Sequence, residues 1–276
     1  MTITASAVNE LRKATGAGMM DCKNALQQTN GNMEEAIDFL RKKGAKISAN
    51  RADRDAAEGA VIAIASDDKK EGVVIRLNCE TDFVAKNDEF VTFAKNIAAV
   101  ALKNKPASIE ELKSLPIDGI SISERLLDYI GKIGEKIDVT TYEHVTGNLI
   151  VPYIHAGNKI GVLVALSSAS NVIEEAGKDV AMQIAAMIPV ALDKDDVPQS
   201  VIDREIEIGK AQAAAEGKPE AMLEKIALGK LNKFYKDSTL LNQDFVKDSS
   251  KTIRQMLNDI EKGLTVTQFK RIQLGA

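Results

Sequence analysis

Gly72-Val-Val-Ile-Arg-Leu77 is an apolar, β-branched run preceded by the polar turn Ser66-Asp-Asp-Lys-Lys-Glu71, and it reads as a strand. The chain repeats it at Gly161-Val-Leu-Val-Ala-Leu166. A repeat of this kind decides the fold before any single element does. Two further columns support it. Ala94-Lys-Asn-Ile-Ala-Ala99 parallels Ala181-Met-Gln-Ile-Ala-Ala186, and Ile137-Asp-Val-Thr-Thr-Tyr-Glu-His-Val145 lines up without gaps on Leu264-Thr-Val-Thr-Gln-Phe-Lys-Arg-Ile272. Leu126, Ile130 and Ile133 keep that register with Ile253, Leu257 and Ile260. The expectation is an α+β fold made of two β-β-α-α-β copies, with helices on one face of each sheet. The other face is left for the sister sheet or for a partner.

Working outward, the first copy has strands near Gly59–Ala65 and Gly72–Asn78, helices near Asp88–Leu102 and Ser123–Ile133, and a closing strand Ile137–Val145. The second has strands near Leu149–His155 and Ile160–Ser167 and a helix stopping near Pro189. The pairing of Ala99 with Ala186 and of Leu126 with Ile253 leaves 40 extra residues in the second copy. Val201–Glu216 and Glu220–Tyr235 within that insert have helical periodicity, and Gly217-Lys-Pro219 is a sharp turn between them. Ile202, Ile206 and Ala213 would face Met222, Ile226 and Leu231. The many Lys and Glu residues favour a projecting helical hairpin, a coiled-coil-like arm, over an internal helix pair. Whether this arm pairs with a second copy of the chain, giving a homodimer, or stays free is left open.

The first 43 residues carry three short helical patterns. Thr4 or Ser6 caps the first, which buries Val8 and Leu11; Gly16 and Gly18 break it; Met19, Cys22, Ala25 and Leu26 belong to the second. Asn32 stands three residues before Glu35 in a capping-box-like arrangement, and Gly44 reads as the stop of the third. The pattern resembles a ubiquitin-associated three-helix bundle. Adjacent helical residues point about 100° apart, so one of Met19 and Met20 is expected at the surface, as a soft contact for a partner. The alternative is that both fill gaps in the core. Gly16-Ala-Gly18 lacks the preceding strand and the Gly-Lys-Ser/Thr of a phosphate loop. The expected units are therefore 1–55, the three helices and a charged connector; 56–146, the first copy; and 147–276, the second, interrupted by the arm at 197–238.

Composition is that of a soluble globular chain: 276 residues, 45% apolar, 28% charged, 4% aromatic and no tryptophan. A net charge of −4 argues against a nucleic-acid binder. Two isolated cysteines, no basic-then-apolar leader and no run of membrane-spanning length point to a cytoplasmic protein away from membranes. The titratable supply for an enzyme is thin. His144 and His155 lie on expected strands outside any metal motif, and no Gly-x-Ser-x-Gly occurs, so no catalytic residue, metal or cofactor is assigned.

Between the strand at Gly72 and the helix at Asp88 lies Cys79-Glu-Thr-Asp-Phe-Val-Ala-Lys86. Taken on residue types, this is either an exposed strand-to-helix corner offering an aromatic beside a carboxylate, or a cap with its Phe packed beneath. Thr81-Asp-Phe-Val-Ala-Lys86, together with Thr15-Gly-Ala-Gly-Met-Met-Asp-Cys-Lys23, closely resembles bacterial elongation factor Ts, the family of guanine-nucleotide exchange factors for elongation factor Tu. The resemblance covers nearly the whole chain.

It implies the following. Phe83, with Asp82 beside it and Thr81 and Val84 flanking, inserts near the Mg²⁺ site of elongation factor Tu. Arg12, Met19, Met20 and Lys23 contact its nucleotide-binding domain. His155, Phe245 and Val246 hold it from the second copy. It also implies binding to the GDP and nucleotide-free forms of that partner, no direct contact with nucleotide, and release of the factor when GTP reloads. Some relatives extend past the last strand, where this sequence reads Leu274-Gly-Ala276. Two readings outside the resemblance remain: an RNA-binding or ubiquitin-like-binding adaptor using the three-helix module and basic Arg41-Lys-Lys43, and an enzyme with a site of unrecognised type.

Overall fold

A computed structural model describes residues 3–275; the outermost residues of the first and last expected units, 1–2 and 276, lie outside them. The chain begins with α1 (Ala5–Thr15), α2 (Met19–Gln28) and α3 (Met33–Asn50). The first copy follows with β1 (Glu58–Ala65), β2 (Glu71–Cys79), the short turn α4 (Asp82–Ala85), α5 (Asp88–Asn104), α6 (Ile109–Ser114), the small hairpin β3 (Pro116–Ile117) and β4 (Ile120–Ser121), α7 (Ile122–Ile133) and β5 (Asp138–Thr146). The second comprises β6 (Leu149–His155), β7 (Ile160–Leu166), α8 (Asn171–Met187), the arm α9 (Gln199–Ala215) and α10 (Glu220–Ser238), the hairpin β8 (Asp244–Phe245) and β9 (Asp248–Thr252), α11 (Ile253–Ile260) and β10 (Val266–Gln273).

Each copy forms one antiparallel sheet, in the order β1-β2-β5 and β6-β7-β10. Alternate residues of the central strands go to different cores. Val73, Ile75 and Leu77 face α5 and α7, while Val74 faces the other sheet. Val162, Val164 and Leu166 face α8 and α11, while Leu163 and Ala165 face the first sheet. Burial on both faces is why these strands read as unbroken apolar runs rather than as an apolar–polar alternation. The back faces of the two sheets therefore meet each other, giving four layers: helix, sheet, sheet, helix.

Gly72 and Gly161, matched in the repeat, make that meeting close. A Cβ at Gly72 would lie 2.6 Å from Ile150 Cγ2, and one at Gly161 would lie 2.5 Å from Val61 Cγ1. The backbone hydrogen bonds across the join come in repeat-related pairs. Val61 N donates to Asn158 O at 2.8 Å and Ile150 N to Lys69 O at 2.6 Å; the offset that takes Gly72 to Gly161 takes Val61 to Ile150 and Lys69 to Asn158. Gly147 N to Lys70 O and Leu274 N to Lys159 O form a second such pair. Even the irregularity repeats: β5 bulges at Thr140 and β10 at the matching Thr267.

One column of the repeat is corrected. The helix caps match Asn87 with Ser170 and the left-handed Lys105 with Ile188, an offset of 83, whereas pairing Ala94 with Ala181 uses 87. The two pairings differ by four residues, about one helical turn, a shift under which an Ala-rich face looks alike. The offset then rises from 83 to the 127 that takes Ile137 to Leu264, so the second copy gains 44 residues rather than 40.

The third helix does not stop at Gly44. It runs on to Asn50, and Gly44 is buried where α3 crosses α7: a Cβ there would collide with the Leu127 carbonyl oxygen, and one on Gly131 would lie 3.3 Å from Gly44 Cα. Arg41 reinforces the crossing, 3.9 Å from both Glu124 and Asp128. The N-terminal helices have their own small core of Val8, Leu11, Cys22, Ala25, Leu26 and Ala36, and α3 ties it to the first copy. Thr4, not Ser6, caps α1, and Asn32 caps α3 while exchanging a second bond with Glu35. In the arm, Gly209 of α9 packs on Ala227 of α10, and only Gly209, Ala213, Ala227 and Leu231 are fully buried along the two helices. Met222, expected in the seam, is exposed.

Candidate functional site: an exposed aromatic corner

Strand β2 and helix α5 of the first copy are separated by more chain than β7 and α8 of the second. The repeat offset is 89 from Gly72 to Gly161 but 83 from cap Asn87 to cap Ser170, so the first copy carries six additional residues here. They form a helical turn with a cap of its own. Thr81 Oγ1 accepts from Val84 N at 3.4 Å and starts α4; Asn87 Oδ1 then accepts from Glu89 N at 2.8 Å and starts α5. The second copy uses Ser170 once, and its sheet and helix close without the extra turn. The fold thus does not require Thr81–Lys86.

Phe83 stands at the outer side of this turn and is 84% exposed. Val84 turns inward against the first core, which fixes the direction in which Phe83 points. Asp82 receives Lys86 Nζ at 2.6 Å; that bond, with the Lys86 charge, holds its carboxyl below the usual carboxylate range and raises the Lys86 ammonium. The base of the corner is rigidly bonded. Glu135 Oε2 accepts from Glu80 N at 3.0 Å and Thr81 N at 3.1 Å, and Glu135 Oε1 from Thr81 Oγ1 at 2.6 Å. Burial works to raise the Glu80 carboxyl, but the Lys136 amide and the Arg51 guanidinium outweigh it, and the group sits below its ordinary value.

His155 ends β6, exposed, with Nδ1 2.9 Å from Tyr153 Oη. It belongs to the same end of the sandwich as the corner. Lys159, four residues on, pairs with Glu58 at the start of β1, and its charge reaches Asp82. Met19 and Met20 are both exposed, at 55% and 62%, where one had been expected, because α2 rests on the rest of its module through Cys22, Ala25 and Leu26. Arg12 and Lys23 are exposed on α1 and α2. This module faces the start of α5: Lys13, Thr15 and Gly16 line an open cleft with Asp88, Glu89 and Lys132. Phe245 and Val246 part company. Phe245 is 7% exposed and belongs to the core beneath α8, so its side chain offers little surface, whereas Val246 is half exposed, its N–H held by Gln183. Both stand against α8 of the second copy, Phe245 beneath it and Val246 bonded to its Gln183.

Cys22 and Cys79 are both free and buried. The Cys79 thiol donates to Thr81 O at 3.2 Å under the corner, and burial, with Glu135 and Glu58, pushes its pKa up to about 12. Neither cysteine should react with a thiol reagent at pH 8 until the chain unfolds, when both should. Because the unfolded thiol ionises near its ordinary value of 9.0 while the folded one keeps its proton to about 12, stability should fall as pH rises through that window. Equal urea midpoints at pH 8 and pH 10.5 would contradict this.

Among the described residues no cluster of His, Cys, Asp or Glu could hold a metal ion, and no helix is long and apolar enough to cross a membrane. The corner offers shape and an aromatic surface, not a nucleophile or an acid–base pair. Sequence reading found Thr81, Asp82, Phe83 and Val84 but missed Glu135, Glu80 and Arg51, whose bonds span 29 to 56 positions of chain with no local pattern to announce them.

A family model described as Elongation factor TS matches residues 80–276. The chain is 58% identical over 275 residues to a protein of Cytophaga hutchinsonii named Elongation factor Ts, with 99% of each chain covered. It is 53% identical over 277 residues to one of that name from Amoebophilus asiaticus, covering the whole of both, and 51% identical over 276 residues to one from Flavobacterium psychrophilum, with 99% of each covered. Corner, duplicated core and full-length similarity agree: the chain belongs to the elongation factor Ts family.

Proposed function

We propose that the protein is a guanine-nucleotide exchange factor of the cytoplasm, that its partner is elongation factor Tu, and that Phe83 acts as a wedge on the Mg²⁺ and phosphate site of that GTPase. The observation that carries the reading is the six-residue turn present in one copy of the repeat and absent from the other, with Phe83 at 84% exposure. An aromatic side chain left in water on a turn the fold does not need is best explained by a partner that covers it.

The mechanism needs no bond-making by the factor. A GTPase holds GDP through backbone donors, a lysine and Mg²⁺. A factor that binds the nucleotide-free form more tightly than the GDP form lowers GDP affinity by the same ratio, since the coupling is reciprocal. Insertion of the Phe83 ring, with Asp82 beside it, displaces the segment that carries the metal ligands. Each charge-assisted hydrogen bond lost to phosphate removes about 1.5–3 kcal/mol, roughly tenfold to a hundredfold in off-rate. Rebinding of GTP reverses the coupling and releases the factor.

Three groups give the wedge its leverage. Arg12, Met19, Met20 and Lys23 grip the nucleotide-binding domain from the N-terminal module; Thr81 and Val84 hold the turn; His155 and Val246 anchor from the second copy, with Phe245 supporting Val246 from below. Stopped-flow release of a fluorescent GDP from elongation factor Tu tests the reading. The full chain should accelerate release by about a hundredfold or more at saturation. An unchanged rate, or salt-dependent RNA binding in its place, would favour the adaptor alternative.

A further inference from the structure

We infer that Glu135 is a positioning residue for nucleotide exchange: its carboxylate, bracketed with that of Glu80, fixes the base of the Phe83 corner and joins it to the end of α3. The inference rests on the wedge reading above.

Glu135 lies in the turn between α7 and β5, directly after the left-handed Gly134. Its two oxygens take three bonds from the corner: both backbone N–H groups of Glu80 and Thr81, and the Thr81 hydroxyl. By drawing the Thr81 O–H toward itself, the carboxylate leaves a Thr81 lone pair facing Val84 N, the bond that starts the turn bearing Phe83. Glu80 returns the arrangement. Its Oε1 accepts from Lys136 N at 2.6 Å and Arg51 Nη1 at 2.8 Å, and its Oε2 from the same Arg51 nitrogen at 2.7 Å. Lys136 Nζ closes the circuit on Ala52 O at 2.6 Å and Arg54 O at 3.0 Å. Two adjacent residues of one turn and two of another thus hold each other's backbone, and both reach the chain that leaves the N-terminal module.

The duplication separates this arrangement from what the fold needs. The position matching Glu135 in the second copy is Lys262, exposed in the turn between α11 and β10, where Glu261 N still bonds Leu257 O as Gly134 N bonds Ile130 O. The bond that closes the helix is kept although the backbone differs, Gly134 being left-handed (φ 80°) and Glu261 extended (φ −149°); the carboxylate is present only in the copy that has the wedge. The helix-closing bond thus forms in the second copy with Lys262 in place of that carboxylate. Bonds from backbone N–H to a carboxylate are among the stronger ones, and three on one side chain leave the corner little freedom to tilt. A wedge that tilts spends its contact on bending itself rather than its partner, so the clamp acts on the maximal rate more than on binding.

The test uses the full chain with Glu135→Ala and Glu135→Gln, reading amide hydrogen exchange in the free protein and fluorescent-GDP release from elongation factor Tu over a range of factor concentration. In Glu135→Ala the Glu80 and Thr81 amides should exchange about tenfold faster or more while β1 and β6 keep their protection. Its saturating release rate should drop about tenfold, with half-saturation within about threefold of the unaltered chain. Glu135→Gln keeps an oxygen for the two N–H groups and should stay within about threefold on every reading. Release from Glu135→Ala at the unaltered rate despite freed amides overturns the inference, as does protection lost throughout the first copy in both variants, which marks a structural role. If Phe83→Ala also releases GDP at the full rate, the wedge reading fails and the clamp's part in exchange goes with it; a failure confined to Glu135→Ala leaves the wedge standing.

Discussion

Phe83→Ala should reduce the saturating rate of GDP release by about 30-fold or more, the equivalent of the 2 kcal/mol expected when a central aromatic is removed from an interface. The folded protein should scarcely notice. The ring is 84% exposed, so its loss should change stability by no more than about 0.5 kcal/mol. Half-saturation should shift far less than the rate, because the N-terminal module and the second copy still bind. Asp82→Ala should do less, since the Asp82–Lys86 pair is exposed and holds only the side of the turn. A Phe83→Ala protein that exchanges at the full rate contradicts the mechanism; one that fails to bind at all shows an anchor rather than a wedge.

Gly44→Ala should destabilise the chain by about 1–3 kcal/mol, against the usual sign. A glycine in a helix interior is ordinarily about 1 kcal/mol worse than alanine. At Gly44 the added carbon meets the Leu127 carbonyl, a backbone atom that cannot turn aside, and α3 must lift from α7. The three N-terminal helices share only a small core, so hydrogen exchange and proteolysis should rise there first. The same substitution at Gly229 is the control. It lies within α10 with nothing near its missing side chain, so Gly229→Ala should stabilise by up to about 1 kcal/mol. A Gly44→Ala protein as stable as the original would mean that α3 and α7 do not pack this closely in solution.

These two glycines show what could and could not be read along the chain. In the sequence Gly44 looks like a helix stop, because the glycine of a C-cap and the glycine of a helix crossing are the same letter; only Leu127, far off in sequence, distinguishes them. Gly72 and Gly161 were legible as a repeat, yet their reason, the close approach of two sheet back faces, depends on Ile150 and Val61 across the pair. Caps were read well where the side chain acts within three residues, as at Asn32. The slip of one turn between α5 and α8 came from alanines that carry no register. Phe245, a contact only by the family resemblance, lies under α8 in the hairpin with β9, which no local pattern announces.

The corner followed the same division. Thr81, Asp82, Phe83 and Val84 stand together in the sequence and could be singled out there. That the turn is extra to the fold emerged only when the caps Asn87 and Ser170 were superposed on the repeat. Glu135, which holds it, reaches Thr81 across 54 positions. Local chemistry is written locally; the parts that make the corner stiff are contributed by distant turns.

Placing a photo-reactive benzoylphenylalanine at position 83 and irradiating the nucleotide-free complex with elongation factor Tu tests the central claim most directly. The account predicts an adduct to the nucleotide-binding domain, at peptides flanking the Mg²⁺ ligands, that does not form when excess GTP is added before irradiation. The same probe at the exposed Met222 on the arm serves as the comparison. An adduct from 222 but none from 83, or one from 83 to a surface remote from the metal site, would contradict it.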